Sequence, residues 1–191
     1  MKRCIVITQE QITLSEIDPI AEIIDDGCWR VHIRKPHADK DALRSFLDVL
    51  CNRVDPKKLS MHYYHDIALE YGFGGVHGKS QEQDVLKSIS CHSIKEVEEN
   101  NGVVDYLFIS PIFDSISKLG YKAAIDISEI GALLKDENYA SQIVALGGVE
   151  VSNLHILDKA GFQNIALLGC VWRDKECKAS YNFKQVIEKW K

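Results

Sequence analysis

Short runs of apolar, β-branched or aromatic residues recur along the chain, and between them apolar residues return at helical spacing. The runs at residues 4–8, 29–33, 59–61, 75–77, 86–90, 106–109, 142–146 and 164–168 have the length and make-up of buried strands. Helical patterns fall at 15–25, 39–53, 66–71, 93–100, 125–134, 152–160 and 182–190. In the second of these, Leu43, Phe46, Leu47 and Leu50 share one face, and Asp39 stands where an N-cap belongs. Ser93 followed by Glu96 makes a capping box, while Gly27 and Gly72 mark helix ends. The strands are apolar on both sides instead of alternating, which is the pattern of a parallel sheet covered on both faces. Eight strands in series with helices predict a single (β/α)8 barrel domain over residues 1–191, with an open doubly wound parallel sheet as the alternative. The chain is shorter than the ~250 residues typical of that barrel, so several helices must be brief.

Composition leaves this picture intact. Hydrophobic residues at 46% and charged residues at 27% are ordinary for a globular protein. A net charge of −5 argues against a protein that coats nucleic acid. The N-terminal apolar stretch is too short for a signal peptide, and no run approaches the ~18 apolar residues of a membrane span. The six cysteines form no C-x-x-C pair and no zinc spacing, which fits reduced thiols in the cytoplasm.

Polar chemistry gathers where strands end. The run at 106–109 is stopped by Pro111, which has no N–H for the ladder. It leads into a loop with Asp114, Ser115, Ser117 and Lys118, closed by Gly120. Hydroxyls and a lysine there suit an anion such as phosphate, though an ordinary surface loop can have the same make-up. In a barrel the ligand site lies at the strands' C-terminal ends. Those ends carry His32 with Arg34 and Lys35, His62 to His65, His77, Ser90 with His92, Gly147-Gly148 and Gly169. Glycines after the seventh and eighth strands allow backbone N–H groups to approach a phosphate, and they also serve tight corners. Arg34 offers a planar fork to phosphate, or an ion pair to Asp39. His62 and His65 form an H-x-x-H without an evident third ligand, so the histidines read as hydrogen-bonding residues and not as a zinc site.

Several pieces, in order, resemble the thiamine phosphate synthase and thiazole tautomerase (TenI) superfamily from Ile5 to about Val171. They are Val31-His32-Ile33-Arg34, Asp66 to Glu70, Gly75-Val76-His77, Ser88 to Ser93, Asp105-Tyr106 with Pro111-Ile112-Phe113, Ser117-Lys118, Ala145 to Gly148, and Ala160-Gly161. The resemblance implies a (β/α)8 barrel and an Mg²⁺-assisted displacement that joins hydroxymethylpyrimidine pyrophosphate to thiazole phosphate and releases pyrophosphate. Within it, Arg34 and Lys118 match the catalytic pyrophosphate-binding cations. Ser115 and Ser117 stand at threonine positions, Ser90 at a serine and Gly148 at a thiazole-phosphate glycine.

The departures fall on the metal. His62-Tyr63 stands where the family has Asn-Asp, and Gly78-Lys79-Ser80 where it has a second metal aspartate. Asp84, then Glu82, are the nearest replacements, and Gly169 replaces a serine. The family's second lysine after the arginine is absent, with Lys35 adjacent. The tautomerase branch tolerates loss of the carboxylates but needs a histidine acid/base, and its position here holds Pro111. The resemblance therefore implies a synthase, with a TenI-like tautomerase or a non-catalytic binder of thiamine intermediates as alternatives. Its partners would be small phosphorylated pyrimidines and thiazoles, with no nucleic acid or membrane, and a homo-oligomer is left open.

Overall fold

The computed structural model describes residues 2–114, 125–136, 139, 142–173 and 178–190. Eight strands close into a barrel in chain order, each hydrogen-bonded to the next and the last to the first. They are β1 Arg3–Ile7, β2 Arg30–Ile33, β3 Leu59–Met61, β4 Gly75–His77, β5 Leu86–Cys91, β6 Tyr106–Ile109, β7 Ile143–Ala145 and β8 Asn164–Leu167. Every pairing is parallel, and closure sets Arg3 beside Asn164 and Ile5 beside Ala166. The open-sheet alternative is thereby excluded.

Helices α1 Ile17–Asp25, α2 Lys40–Leu50, α3 His65–Glu70, α4 Ile94–Asn100, α5 Ile127–Leu133, α6 Leu154–Ala160, α7 Gly169–Trp172 and α8 Ala179–Trp190 lie along the described chain. Their starts follow local chemistry. Asp39 accepts from the Ala42 N–H at 2.8 Å, so α2 begins there and buries Leu43, Phe46, Leu47 and Leu50 together. Ser93 accepts from the Glu96 N–H, while Glu96 reaches back to the His92 N–H at 2.8 Å, one residue earlier than an ideal capping box. Residues 78–85 hold neither helix nor strand, which is how a barrel of this length closes. The expected loop after residue 168 instead coils into α7, and α8 starts three residues earlier than its apolar period indicated.

Two apolar cores result. One lies between strands and helices; the other, inside the barrel, is built on Ile5, Ile7, Tyr106, Phe108, Val144 and Ala166. The interior is polar on one side. Arg30, His32, Ser60 and Ser88, from β2, β3 and β5, are all buried. Among the described residues no helix is long and apolar enough to cross a membrane.

Candidate active site at the barrel mouth

Parallel strands direct all eight C-terminal ends to one mouth, where a cavity of about 530 Å³ opens. Glu10, Arg34, His62, His77, Ser90, His92, Gly147, Gly148 and Gly169 line it. Of the residues anticipated from sequence, Arg34, His62, Ser90, Gly147, Gly148 and Gly169 therefore share one surface. His32 lies just beneath, fully buried. Ser115, Ser117 and Lys118 lie outside the described residues.

The floor is a connected polar column. His32 Nδ1 is 2.9 Å from His62 Nε2, and His32 Nε2 is 2.8 Å from the Tyr106 hydroxyl. That hydroxyl lies 3.3 Å from Ser60 Oγ, to which Arg30 Nη1 comes within 3.4 Å. The His62 and His77 rings stack with centroids 4.1 Å apart. His77 places Nδ1 2.9 Å from Ser88 Oγ and Nε2 3.2 Å from Ser90 Oγ. Burial drives all three imidazoles below the ordinary histidine range, with neighbouring positive charge a smaller cause. His62 falls to about 2 and His77 to about 4. At neutral pH these rings are uncharged.

The turn between β3 and α3 separates two histidines that sequence had paired. Tyr64 takes a left-handed backbone, φ 56°, and its hydroxyl donates to the Ala38 carbonyl at 2.6 Å. His62 then faces the cavity, whereas His65 Nε2 sits 3.0 Å from the His77 carbonyl.

Charge at the rim comes from Arg34. Its Nη1 is 2.5 Å from Glu10 Oε1, so its anionic partner is Glu10 and not Asp39. Lys35 is no substitute for the family's second lysine. Its ammonium is buried, donating to the Gln9 and Gln11 carbonyls at 2.8 and 2.6 Å and to Glu16 at 2.5 Å. Of the two neighbours, Arg34 lines the mouth and Lys35 does not.

The glycine segment after β7 fits the mouth tightly. Gly147 has φ +96° and Gly148 φ +64°, and a Cβ on either would lie within 3 Å of Pro111 or of the Phe113–Asp114 backbone. Only glycine brings the backbone this close to the loop after β6.

Asp84 requires correction as a metal candidate. It precedes β5 and lines a different pocket, with Lys57, Lys87 and Asp105, at the strands' N-terminal ends. Glu82 is not among the residues lining the mouth. Among the described residues, the carboxylate that does line it, Glu10, is engaged by Arg34. Mg²⁺ takes hard oxygen ligands in near-octahedral order, and the described mouth offers imidazole nitrogens instead. These residues do not fit the family's ion.

The chain matches the family model described as thiamine monophosphate synthase (TMP-TENI) over residues 4–171. It belongs to that family. A thiamine-phosphate synthase of Prochlorococcus marinus (strain AS9601) is 28% identical over 188 residues, 91% of this chain and 52% of the relative. One from Listeria monocytogenes serotype 4b (strain F2365) is 27% identical over 124 residues, 58% of each chain. The chain thus spans little more than half the length of these relatives. The crystal structure of thiamine phosphate pyrophosphorylase from Bacteroides thetaiotaomicron superposes with a TM-score of 0.82 at 24% identity, covering 97% of this chain and 96% of that one. At that identity the likeness concerns the fold.

Sequence reasoning missed Glu10, Tyr106 and the convergence of His77 on His32 and His62. A signal for the last was present: β2, β3 and β4 each carry a histidine at, or one residue from, the C-terminal end.

Proposed function

We propose that this family member is a thiamine phosphate synthase-like transferase acting on a phosphorylated pyrimidine and a phosphorylated thiazole. The observation that carries the reading is one cavity joining the Arg34 guanidinium to Ser90 and to the close-approach glycines Gly147 and Gly148. In this reaction the bond from the pyrimidine methylene carbon to the pyrophosphate oxygen breaks. A bond from that carbon to the thiazole nitrogen forms, and the pyrophosphate leaves with the electron pair. No proton need move, which suits a floor of uncharged imidazoles. Arg34 would neutralise charge on the departing group, and by family resemblance Lys118 would join it. Gly147 and Gly148 would admit the thiazole phosphate against the backbone. The fit of Mg²⁺ is poor here, so no step is assigned to it. A biosynthetic role of this kind, with reduced thiols, belongs to the cytoplasm.

A second reading has its own support. His92 lines the cavity with its Nδ1 2.8 Å from the Ser110 carbonyl, and an imidazole so placed suits a TenI-like tautomerase that moves a proton on a thiazole phosphate. One assay separates the two. The purified protein is given both phosphorylated precursors, beside Arg34→Ala and Lys118→Ala. The synthase reading expects thiamine phosphate from wild type and a loss of about 100-fold or more in Arg34→Ala, the cost of removing one donor to developing charge. If wild type makes none but aromatises the thiazole tautomer, the second reading replaces the first.

A further inference from the structure

The cluster of His32, His62 and His77 has more order than a hydrogen-bonded floor requires. One ring nitrogen from each converges so that all three lie within 4.8 Å of one another. We propose that these three histidines form a site for one borderline divalent transition metal of the zinc class, with a remaining coordination position open to the mouth cavity.

Three features carry this. The first is ligand chemistry: three imidazole nitrogens are a donor set for zinc, copper, iron or nickel, and a catalytic zinc site has three protein ligands with the fourth position open. The second is outer support. Metal-bound histidines ordinarily give their other ring N–H to a fixed acceptor. Here His32 Nε2 lies against the Tyr106 hydroxyl at 2.8 Å and His77 Nδ1 against Ser88 Oγ at 2.9 Å. Each hydroxyl fixes one nitrogen and turns the other toward the cluster: His32 Nδ1 now faces His62 Nε2 at 2.9 Å and His77 Nε2 faces Ser90 Oγ at 3.2 Å, contacts that a metal would replace. The third is access. His62 and His77 line the open cavity while His32 is fully buried beneath them, so the cluster presents one side to incoming ligands.

The ligand-free geometry converts to the bound one with balanced protons. His32 Nδ1 and His62 Nε2 now share one proton across 2.9 Å. Moving that proton from His62 Nε2 to His62 Nδ1 frees both lone pairs and releases none. Tetrahedral bonds of 2.0–2.1 Å require nitrogens about 3.4 Å apart, so this pair must open. His62 must also turn out of its stack on His77, because two rings that ligate one ion direct in-plane lone pairs at it. His32 is tied to Tyr106, so the movement falls to His62 on its turn after β3. The remaining metal position would face a water or a ligand oxygen in the cavity that His62, His77 and Ser90 line.

Metal stoichiometry tests this without reference to turnover, so its failure is separable from failure of the synthase reading. Protein stripped with a chelator is titrated with Co²⁺ and then with Zn²⁺, folding being checked by circular dichroism. The expected result is one equivalent of Co²⁺ with the intense visible bands of a four-coordinate site, displaced by one equivalent of Zn²⁺. His62→Gln and His77→Gln should each weaken Zn²⁺ binding by more than ~100-fold, and Tyr106→Phe by about 10–100-fold through loss of the outer hydrogen bond. The exposed His155→Gln should bind as wild type does. No stoichiometric binding overturns the proposal. So does binding that survives both His62→Gln and His77→Gln, or cobalt spectra with thiolate charge-transfer absorption.

Discussion

At the scale of single residues, the mouth is shaped by what cannot be replaced. Alanine at Gly147 would have to hold φ +96° with its Cβ 2.8 Å from Pro111 Cα. Gly147→Ala is therefore expected to cost about 1–3 kcal/mol, read as a lowered urea midpoint, and wild-type stability would refute the tight approach. Arg34 is the opposite case, a side chain restrained by a removable partner. Its guanidinium is only partly exposed and already holds Glu10. Any anion that enters must compete with that carboxylate. Glu10→Gln should tighten binding of inorganic pyrophosphate by about 2–5-fold, the worth of a part-exposed ion pair. Arg34→Ala should weaken it, and calorimetry distinguishes the two signs. Equal affinities in all three proteins would remove Arg34 from the anion site.

At the scale of elements, the segment from β1 to α1 is pinned from inside. Lys35 leaves β2 and collects two carbonyls of this segment together with Glu16, and both side chains are essentially sealed from water. Burial pushes the Glu16 carboxyl up and the Lys35 ammonium down, each opposed by the other's charge. Lys35→Met would strand the carboxylate, at an expected cost of about 3–5 kcal/mol. Adding Glu16→Leu should return most of that stability, whereas purely additive losses would mean that the pair is not coupled. This element shows what could be read from sequence. Strand order, the helical face of α2 and the caps at Asp39 and Ser93 rest on local pattern, and they were legible. Lys35 and Tyr106 were not, because the role of an inward side chain depends on the phase of its strand and on which strands close beside it. Lys35 stands beside Arg34 in sequence, yet its ammonium turns inward to Glu16 and to the Gln9 and Gln11 carbonyls. His32, His62 and His77 are 30 and 15 positions apart, and only barrel closure makes them neighbours. The four-residue α7 lacked any apolar period to announce it.

At the scale of the whole molecule, a barrel interior ordinarily filled by branched apolar side chains instead contains three uncharged imidazoles. That choice ties global stability to pH. In the unfolded chain a histidine takes a proton near the ordinary value of ~6.5. In the fold His77 resists until about 4 and His62 until about 2. Below pH ~6.5 the unfolded state therefore binds protons that the native state refuses, and stability falls as pH falls. The loss for His77 ends near pH 4, where the native ring also titrates, and for His62 it continues to lower pH. Each ring kept neutral contributes a slope of about 1.4 kcal/mol per pH unit inside its window. Above pH 7 these rings contribute no slope, since both states leave them unprotonated. Urea unfolding of metal-free protein between pH 7.5 and 5 is expected to show this downward bend, and the double variant His62→Gln with His77→Gln should lose the share of those two rings while the buried His32 keeps its own. Carboxylates titrate mostly below this range, so the difference between the two proteins isolates the imidazoles. If wild type and double variant lose stability in parallel from pH 7 to 5, the rings are protonated in the fold. The floor of the mouth would then be cationic at the acid end of this range, and the separation of a neutral floor from a charged rim at Arg34 would be lost.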